Sequence, residues 1–115
     1  MEKFGFKIER RVDWDQAKAT GVYSGSALDK ADGFIHLSAR HQVRATLETW
    51  FSGQAGLVLA TIDLAALGDK VLWEASRDGA LFPHCYGSIP FEAVTDCIDL
   101  TVLASGHHDL PADFP

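Results

Sequence analysis

The chain has 115 residues, of which 47% are hydrophobic and 23% charged, a composition typical of one globular domain large enough to form a core. Its net charge of −6 argues against broad binding to DNA or RNA, which needs a basic surface. No apolar run approaches the length of a membrane-spanning helix, and the first residues lack a secretory signal pattern. We therefore expect a cytoplasmic protein with no membrane partner.

Strand patterns recur along the chain. Alternating or continuous apolar residues predict strands at residues 4–9, 33–38, 57–62, 70–74 and 94–103. The segment at 57–62 is apolar almost throughout, which is typical of a central strand buried on both faces. Directly after it, Asp63 is expected to cap a single helical turn that ends at Gly68.

The main helix is predicted from Ala39 to about Ser52. Its apolar stripe follows the spacing i, i+4, i+7 and i+8 and consists of Val43, Leu47, Trp50 and Phe51. Ser38 precedes the helix and is the expected N-cap. Because Trp50 belongs to the stripe, we expect it to be a core residue.

A short helix is predicted at residues 14–19, with Asp13 as its N-cap. Gly, Ser and Asp residues predict a loop at 21–32, in which Tyr23 faces either a ligand or the packed edge of the domain. The aromatic segment 75–91 is interrupted by Gly and Pro, and we expect it to be a second loop that folds over a ligand or partner.

This order of elements predicts an α+β domain with helices packed on a sheet. We expect the globular part to comprise residues 1–103. Residues 104–115 show no hydrophobic periodicity, so we expect them to form a flexible tail.

Side chains suited to chemistry are concentrated in two segments, and the first is Asp32–Ser38. In it, Gly33 allows a turn, His36 lies in an apolar strand, and Ser38 follows. A histidine on a rigid strand is suited to ligand chemistry. A packing role for His36 is an equally good interpretation of the pattern.

The second segment is Trp73–Tyr86, and its candidate ligand-binding residues are Glu74, Ser76, Arg77, Phe82, His84 and Tyr86. Arg77 can grip a phosphate with two hydrogen bonds, and Glu74 can accept sugar hydroxyls. The aromatic rings can stack on a base or a nicotinamide ring. A surface ion pair between Glu74 and Arg77 is the alternative interpretation.

The common catalytic and binding motifs are absent from the sequence. There is no HExxH or paired CxxC spacing for a metal, no GxSxG elbow for a nucleophilic serine, and no Walker A or GxGxxG loop for phosphates. We therefore expect no protein-built metal site.

Three segments, in their order and spacing, resemble a bacterial family known as domain of unknown function 952. They are Asp32–Ser38, Leu57–Leu59, and Leu72–Arg77 continuing to Leu81–Gly87. The resemblance extends over the chain to about Leu103. The family name implies no activity.

A more distant similarity implies an activity. Ile35–Ser38, the following helix, the strand that ends in Asp63 and a later strand with Ser76 are similar to the second half of RNA 2′-phosphotransferases. That resemblance implies an ADP-ribosyltransferase-like fold with a split mixed β-sheet, one main amphipathic helix and one short helix. It also implies a pocket for NAD that His36 lines, with Ser38 nearby.

The first strand departs from the transferase pattern. Transferases of this type usually carry a His-Gly or Arg-His pair on an early strand, whereas the strand here reads Phe6-Lys7-Ile8. The arginine set of the phosphotransferase reaction is not evident either. The sequence therefore supports ligand binding more strongly than it supports catalysis.

We expect the domain to bind NAD, or a related ADP-ribose-like nucleotide, as a small-molecule ligand. In an NAD-utilising transferase, His36 would orient the nicotinamide ribose, Glu74 would stabilise oxocarbenium charge, and Arg77 would hold a phosphate. The alternative is a non-catalytic module that binds such a ligand or a protein partner. The sequence leaves the substrate, the reaction and the oligomeric state open.

Overall fold

A computed structural model of the chain describes residues 2–76 and 78–115. In chain order, its helices and strands are β1 (Phe4–Arg10), α1 (Arg11–Thr20), β2 (Val22–Tyr23), α2 (Ala27–Asp32), β3 (Ile35–His36), α3 (Val43–Trp50), β4 (Leu57–Asp63), α4 (Leu64–Leu67), β5 (Val71–Ala75), β6 (Leu81–Cys85), β7 (Ile89–Pro90) and β8 (Val94–Leu100). Short 3₁₀ turns lie at Arg40–Gln42, Gly68–Lys70 and Phe91–Ala93. The predicted α+β class is confirmed.

The strands are divided among three small sheets. Their strand orders are β1-β4-β8, β2-β7 and β3-β6-β5. All of these strand pairs are antiparallel, so the sheet pairing within the described residues differs from the mixed sheet that we expected. The connection between β5 and β6 is too short for the crossover that parallel pairing requires, so these two strands pair antiparallel.

The core lies on both faces of β4, as its continuous apolar pattern predicts. Leu57 and Leu59 face a cluster that includes α3, whereas Val58 and Ala60 face a second cluster built around Trp14. In its sheet, β4 lies between β1 and β8, which is the central position that its apolar run predicted. The predicted cap is also confirmed, since Asp63 Oδ1 accepts the Ala65 N–H at 3.1 Å.

Two predictions for the first third of the chain are wrong. Asp13 is not the cap of α1, which begins at Arg11 and has Asp13 in its first turn, where a negative charge is favourable. Residues 21–32 are not one loop, because Val22–Tyr23 form β2 and Ala27–Asp32 form α2. The hydroxyl of Ser26 accepts the Asp29 N–H, and this cap lets six residues form a helix among turn-favouring side chains.

The main helix also begins later than predicted, and Ser38 does not cap it. After Ser38 the chain makes a 3₁₀ turn, in which Gln42 Oε1 accepts the Ala39 N–H at 2.9 Å, and α3 begins at Val43. Ser38 pairs through its backbone with Phe6, and its hydroxyl lies 3.2 Å from that of Thr46. The backbone of Ser38 is thus held by strand pairing, and its hydroxyl lies beside Thr46 instead of at the start of the helix.

The prediction that Trp50 is a core residue is wrong, since this side chain is 70% exposed. Val43 and Leu47 are buried, and Phe51 packs against the same cluster. Residues at i, i+4 and i+8 therefore face the sheet. Trp50, at i+7, lies at the margin of the stripe and points to solvent.

The segment 75–91 contains the strands β6 and β7 and is not the single loop that its Gly and Pro residues indicated. β6 is the middle strand of its sheet and contains Pro83. A proline is tolerated there because β3 pairs only with His84 and Cys85, so the ladder on that side ends before Pro83. The Pro83 carbonyl still accepts the Leu37 N–H at 3.0 Å.

The segment after Leu103 differs from the expected flexible tail. Phe114 is 8% exposed, and its ring packs edge-on against Phe6 with centroids 5.1 Å apart. The Arg40 guanidinium lies over both rings. His108 is buried and its Nε2 lies 2.7 Å from the Gln54 carbonyl oxygen. Scattered aromatic and polar contacts hold this segment, and they leave no periodic pattern in the sequence.

Among the helices of the described chain, none is long and apolar enough to cross a membrane.

The two faces of α3 give a stability prediction. We expect Leu47→Ala to lower the free energy of unfolding by about 2–5 kcal/mol, because it opens a cavity under the sheet. Trp50→Ala should change it by no more than about 0.5 kcal/mol, because the ring is in solvent. Urea unfolding of both variants measures the difference. A larger loss for Trp50→Ala than for Leu47→Ala would mean that the helix faces are assigned incorrectly.

Candidate functional site

Asp29 is positioned by the first turn of α2. Its backbone N–H donates to the Ser26 hydroxyl at 3.1 Å, and its Oδ2 accepts the Ser26 N–H at 2.8 Å. This reciprocal capping box fixes both the start of the helix and the direction of the carboxylate. The Asp29 residue is 2% exposed, so its charge must be compensated inside the protein.

Lys7 and His36 supply that compensation. The Lys7 ammonium lies 2.8 Å from Oδ2 of Asp29 and also donates to the His36 carbonyl at 3.1 Å. Oδ1 of Asp29 accepts the His36 N–H at 3.1 Å and lies 2.6 Å from Nδ1 of its ring. Burial alone would raise the pKa of the Asp29 carboxyl, but the Lys7 charge and these hydrogen bonds lower the pKa to about 2.

The His36 ring is held between two carboxylates. Its Nδ1 faces Asp29, and its Nε2 lies 3.0 Å from Oδ2 of Asp32. The side chain is one-third exposed, with 34% of its surface accessible. Asp29 and Asp32 lie three residues apart on α2, so the helix places both on the side facing β3.

A second histidine–carboxylate pair lies opposite the first. His84 on β6 is directly opposite His36 on β3. Its Nδ1 lies 2.7 Å from Oε1 of Glu74, and the Tyr86 hydroxyl donates to the same oxygen at 2.7 Å. Hydrogen bonds from His84 first and Tyr86 second lower the pKa of the Glu74 carboxyl.

Phe34 joins the two pairs. Its half-buried ring stacks on His84 at 4.1 Å between centroids, and it lies 4.6 Å from the His36 ring and 5.3 Å from that of Tyr86. The two imidazole centroids are 5.7 Å apart. We call these five residues, Phe34, His36, Glu74, His84 and Tyr86, the histidine cluster.

An open cleft adjoins the histidine cluster. Its volume is about 220 Å³, and its lining includes Asp29, Lys30, Gly33, Phe34 and Ser88. Phe34 therefore forms both a wall of the cleft and the centre of the cluster. Gly33 has a φ of +86°, and a side chain at this position would extend into open space beside the cleft.

The structure brings part of the predicted site together. His36, Glu74, His84 and Tyr86 converge on Phe34, and Gly33 lines the adjoining cleft. Phe82 is half-buried and lies opposite Glu74 in the strand ladder.

Two predicted ligand-binding residues lie apart from this group. Ser38 is 5% exposed and its hydroxyl is directed to α3, because strand pairing with Phe6 fixes its backbone. Ser76 lies in the turn before β6, and its hydroxyl donates to Asp78 at 2.7 Å. Arg77, the expected phosphate ligand, lies outside the described residues.

Sequence reasoning missed Asp29 and Lys7. Lys7 alternates with Phe6 and Ile8 on β1, which normally places a lysine in water, yet it is 6% exposed because α2 and β3 cover that face. One signal was available for Asp29. Ser26 followed three residues later by an acidic residue is the pattern of a capping box, and it would have predicted α2.

Tyr23 is a packed residue and does not line the cleft. Its ring is 2% exposed against Trp14, and its hydroxyl donates to Oε2 of Glu9 at 2.6 Å. Burial first, and the neighbouring Glu9 second, raise the pKa of the Tyr23 phenol. Of the two interpretations given for Tyr23, the structure therefore supports packing.

The histidine cluster is equipped for hydrogen bonding, stacking and proton transfer. It presents two imidazoles, a carboxylate and two aromatic rings over a short distance. In the part of the chain that the structure describes, no three His, Cys, Asp or Glu side chains are arranged to hold a metal ion. The imidazoles and the carboxylate of the cluster can supply acid–base and electrostatic chemistry.

Comparisons with known proteins find relatives of the same fold. Residues 8–97 match the model of a family described as "Protein of unknown function (DUF952)". The crystal structure of protein CC0527 from Caulobacter crescentus has 48% identity and a TM-score of 0.88, over 92% of this chain and 93% of that chain. The solution NMR structure of CC0527 has 48% identity and a TM-score of 0.83, over 91% and 90% of the two chains. No curated protein matches the chain.

The buried pair of Lys7 and Asp29 gives a double-mutant prediction. Lys7→Met and Asp29→Asn should each lower the free energy of unfolding by about 3–5 kcal/mol, because each leaves a partner buried and uncompensated. The double variant should lose clearly less than the sum, since both charges are removed. Urea unfolding of the four proteins measures this coupling.

The exposed ion pair of Arg10 and Asp13 is the matched control. Its atoms are 3.5 Å apart, and the two side chains are 61% and 45% exposed. The same cycle there should give a coupling of about 0–1 kcal/mol. Equal couplings for the two pairs would contradict the structural role of Lys7 and Asp29.

Proposed function

The chain belongs to the DUF952 family of proteins of unknown function, and we propose that it binds NAD or an ADP-ribose-like nucleotide at the histidine cluster and the adjoining cleft. The observation that carries the proposal is the stacking of Phe34 on His84, beside His36 and Tyr86. Aromatic surfaces of this kind accept a planar ring. The polar atoms around them suit the hydroxyls of a ribose.

The size of the cleft favours one ring system over a whole nucleotide. Sites that enclose a drug-sized ligand have volumes of about 300–1,000 Å³. The cleft beside Phe34 has about 220 Å³ and is open to solvent. A base or nicotinamide ring would occupy the cleft, while the ribose would lie across the histidine cluster.

Charges around the cleft suit the polar parts of such a ligand. Lys30 is exposed at the cleft and offers a positive charge to a phosphate. Glu74 has one carboxylate oxygen engaged by His84 and Tyr86, and no hydrogen bond from the described residues occupies its second oxygen, which can accept one from a sugar hydroxyl. The phosphate role of Arg77 stays a prediction from the sequence.

An ADP-ribosyltransferase-like fold is part of the same proposal. The division of the strands among three small sheets is compatible with a split-sheet arrangement. In that scheme His36 orients the nicotinamide ribose, and its backbone and ring are fixed for this task by Asp29.

An NMR titration tests the proposal. We expect amide shifts on adding NAD, ADP-ribose or nicotinamide to the ¹⁵N-labelled protein, concentrated at residues 33–40 and 73–87. His36→Asn should weaken binding by about five- to hundred-fold, because it removes the ring that Asp29 and Asp32 hold beside Phe34. His107→Asn is the matched control, because this histidine is 57% exposed beside Glu48 and should leave the affinity unchanged.

Two results would count against the proposal. One is the absence of shifts with all three compounds at millimolar concentration. The other is equal binding by the wild type and His36→Asn. The first result would favour the alternative of a module that binds a protein partner, whereas the second would remove the proposed role of His36.

A further inference from the structure

The two histidines of the cluster differ in what surrounds their second ring nitrogen. Both have Nδ1 beside a carboxylate, Asp29 for His36 and Glu74 for His84. Nε2 of His36 also faces a carboxylate, that of Asp32, at 3.0 Å. His36 therefore has both nitrogens engaged, and it is suited to orienting a ligand through its fixed ring.

Nε2 of His84 has no such partner among the described residues. The only hydrogen bond of its ring there is the one from Nδ1 to Glu74. Yet no enclosed side-chain nitrogen or oxygen in this part of the chain lacks a partner. Nε2 therefore reaches solvent, although only 10% of the His84 side chain is exposed.

Glu74 determines which nitrogen of His84 carries the proton. An ionised carboxylate only accepts hydrogen bonds, and the lowered pKa of Glu74 keeps it ionised. Nδ1 of His84 must then be the donor, and Nε2 of the neutral ring carries a lone pair. Stacking on Phe34 at 4.1 Å holds the ring so that this lone pair has a fixed direction.

We propose that His84 is the general base of an NAD hydrolysis at this site, with Nε2 as the proton acceptor and Glu74 as its positioning residue. This inference rests on the proposed binding of NAD. It also revises the role expected for Glu74, whose carboxylate acts through His84. Tyr86 shares the same Glu74 oxygen and fixes its orientation.

The reaction balances with water as the nucleophile. A lone pair of the water oxygen forms a bond to C1′ of the nicotinamide ribose, and the electron pair of the C1′–N1 bond leaves with neutral nicotinamide. The water gives its proton to Nε2 of His84, which releases it to solvent. NAD⁺ and water thus yield ADP-ribose, nicotinamide and one proton.

Nicotinamide release from NAD by the purified protein is the test, with NAD affinity measured in parallel. His84→Gln should lower the rate by about 10²–10⁴-fold, the usual contribution of a general base, and change affinity only a few-fold. Glu74→Gln should give a smaller loss. His107→Asn changes an exposed histidine beside Glu48 that is not part of the cluster, and it should release nicotinamide at the wild-type rate.

The tautomer of the His84 ring separates a positioning role of Glu74 from a purely structural one. A carboxamide both donates and accepts hydrogen bonds, so Glu74→Gln should no longer hold the proton of the neutral His84 ring at Nδ1. Long-range ¹H–¹⁵N spectra of this variant should therefore show protonation at Nε2 as well, and an unchanged Nδ1 tautomer would contradict the positioning role.

A measurement without NAD keeps the inference independent of the binding proposal. Long-range ¹H–¹⁵N spectra of the wild type should show neutral His84 protonated at Nδ1, and protonation at Nε2 would overturn the inference. NAD binding without nicotinamide release would also overturn it while leaving the proposed function intact. A wild-type rate in folded His84→Gln would do the same. Failure to bind NAD would remove both.

Discussion

The negative charge of a buried carboxylate must be balanced by nearby positive charges and hydrogen-bond donors. Asp29 obtains such groups from three elements. Lys7 comes from β1, the Ser26 N–H from the start of α2, and the His36 backbone and ring from β3. Each of these groups lies far from the others along the chain or in a different element. The ion pair therefore joins the central sheet to the small sheet that carries the histidines. A domain with a total stability of about 5–15 kcal/mol depends strongly on such a contact.

Fixing His36 also fixes the rest of the histidine cluster. Its strand lies against β6, so the position of His36 determines that of His84. Phe34 then lies between them, and Glu74 and Tyr86 complete the group from β5 and from the end of β6. The two carboxylate–histidine pairs have similar geometry, but they differ at Nε2. Asp32 lies beside Nε2 of His36, whereas Nε2 of His84 reaches solvent. On that difference we base the proposal that His36 orients a ligand and His84 accepts a proton.

The parts of the fold that a local pattern specifies could be predicted from the sequence. The apolar run of β4 indicated its central place, and Asp63 its helical turn. Long-range contacts specify the remainder. Pro83 stands in a middle strand only because β3 is two residues long. In the same way, His36, Glu74, His84 and Tyr86 could be named from their chemistry. The buried position of Lys7 could not, because it depends on the elements that cover β1.

The pKa of Asp29 is the most direct test of this account. The carboxyl ¹³C resonance of Asp29, followed with pH in the folded protein, should titrate with a midpoint of about 2, below the ordinary value of about 3.9. A lowered pKa means that Asp29 stabilises the fold above its ordinary pKa, and that this contribution is lost as pH falls towards about 2. A midpoint near the ordinary value would contradict the account, because it would show that Lys7 and His36 do not hold this charge.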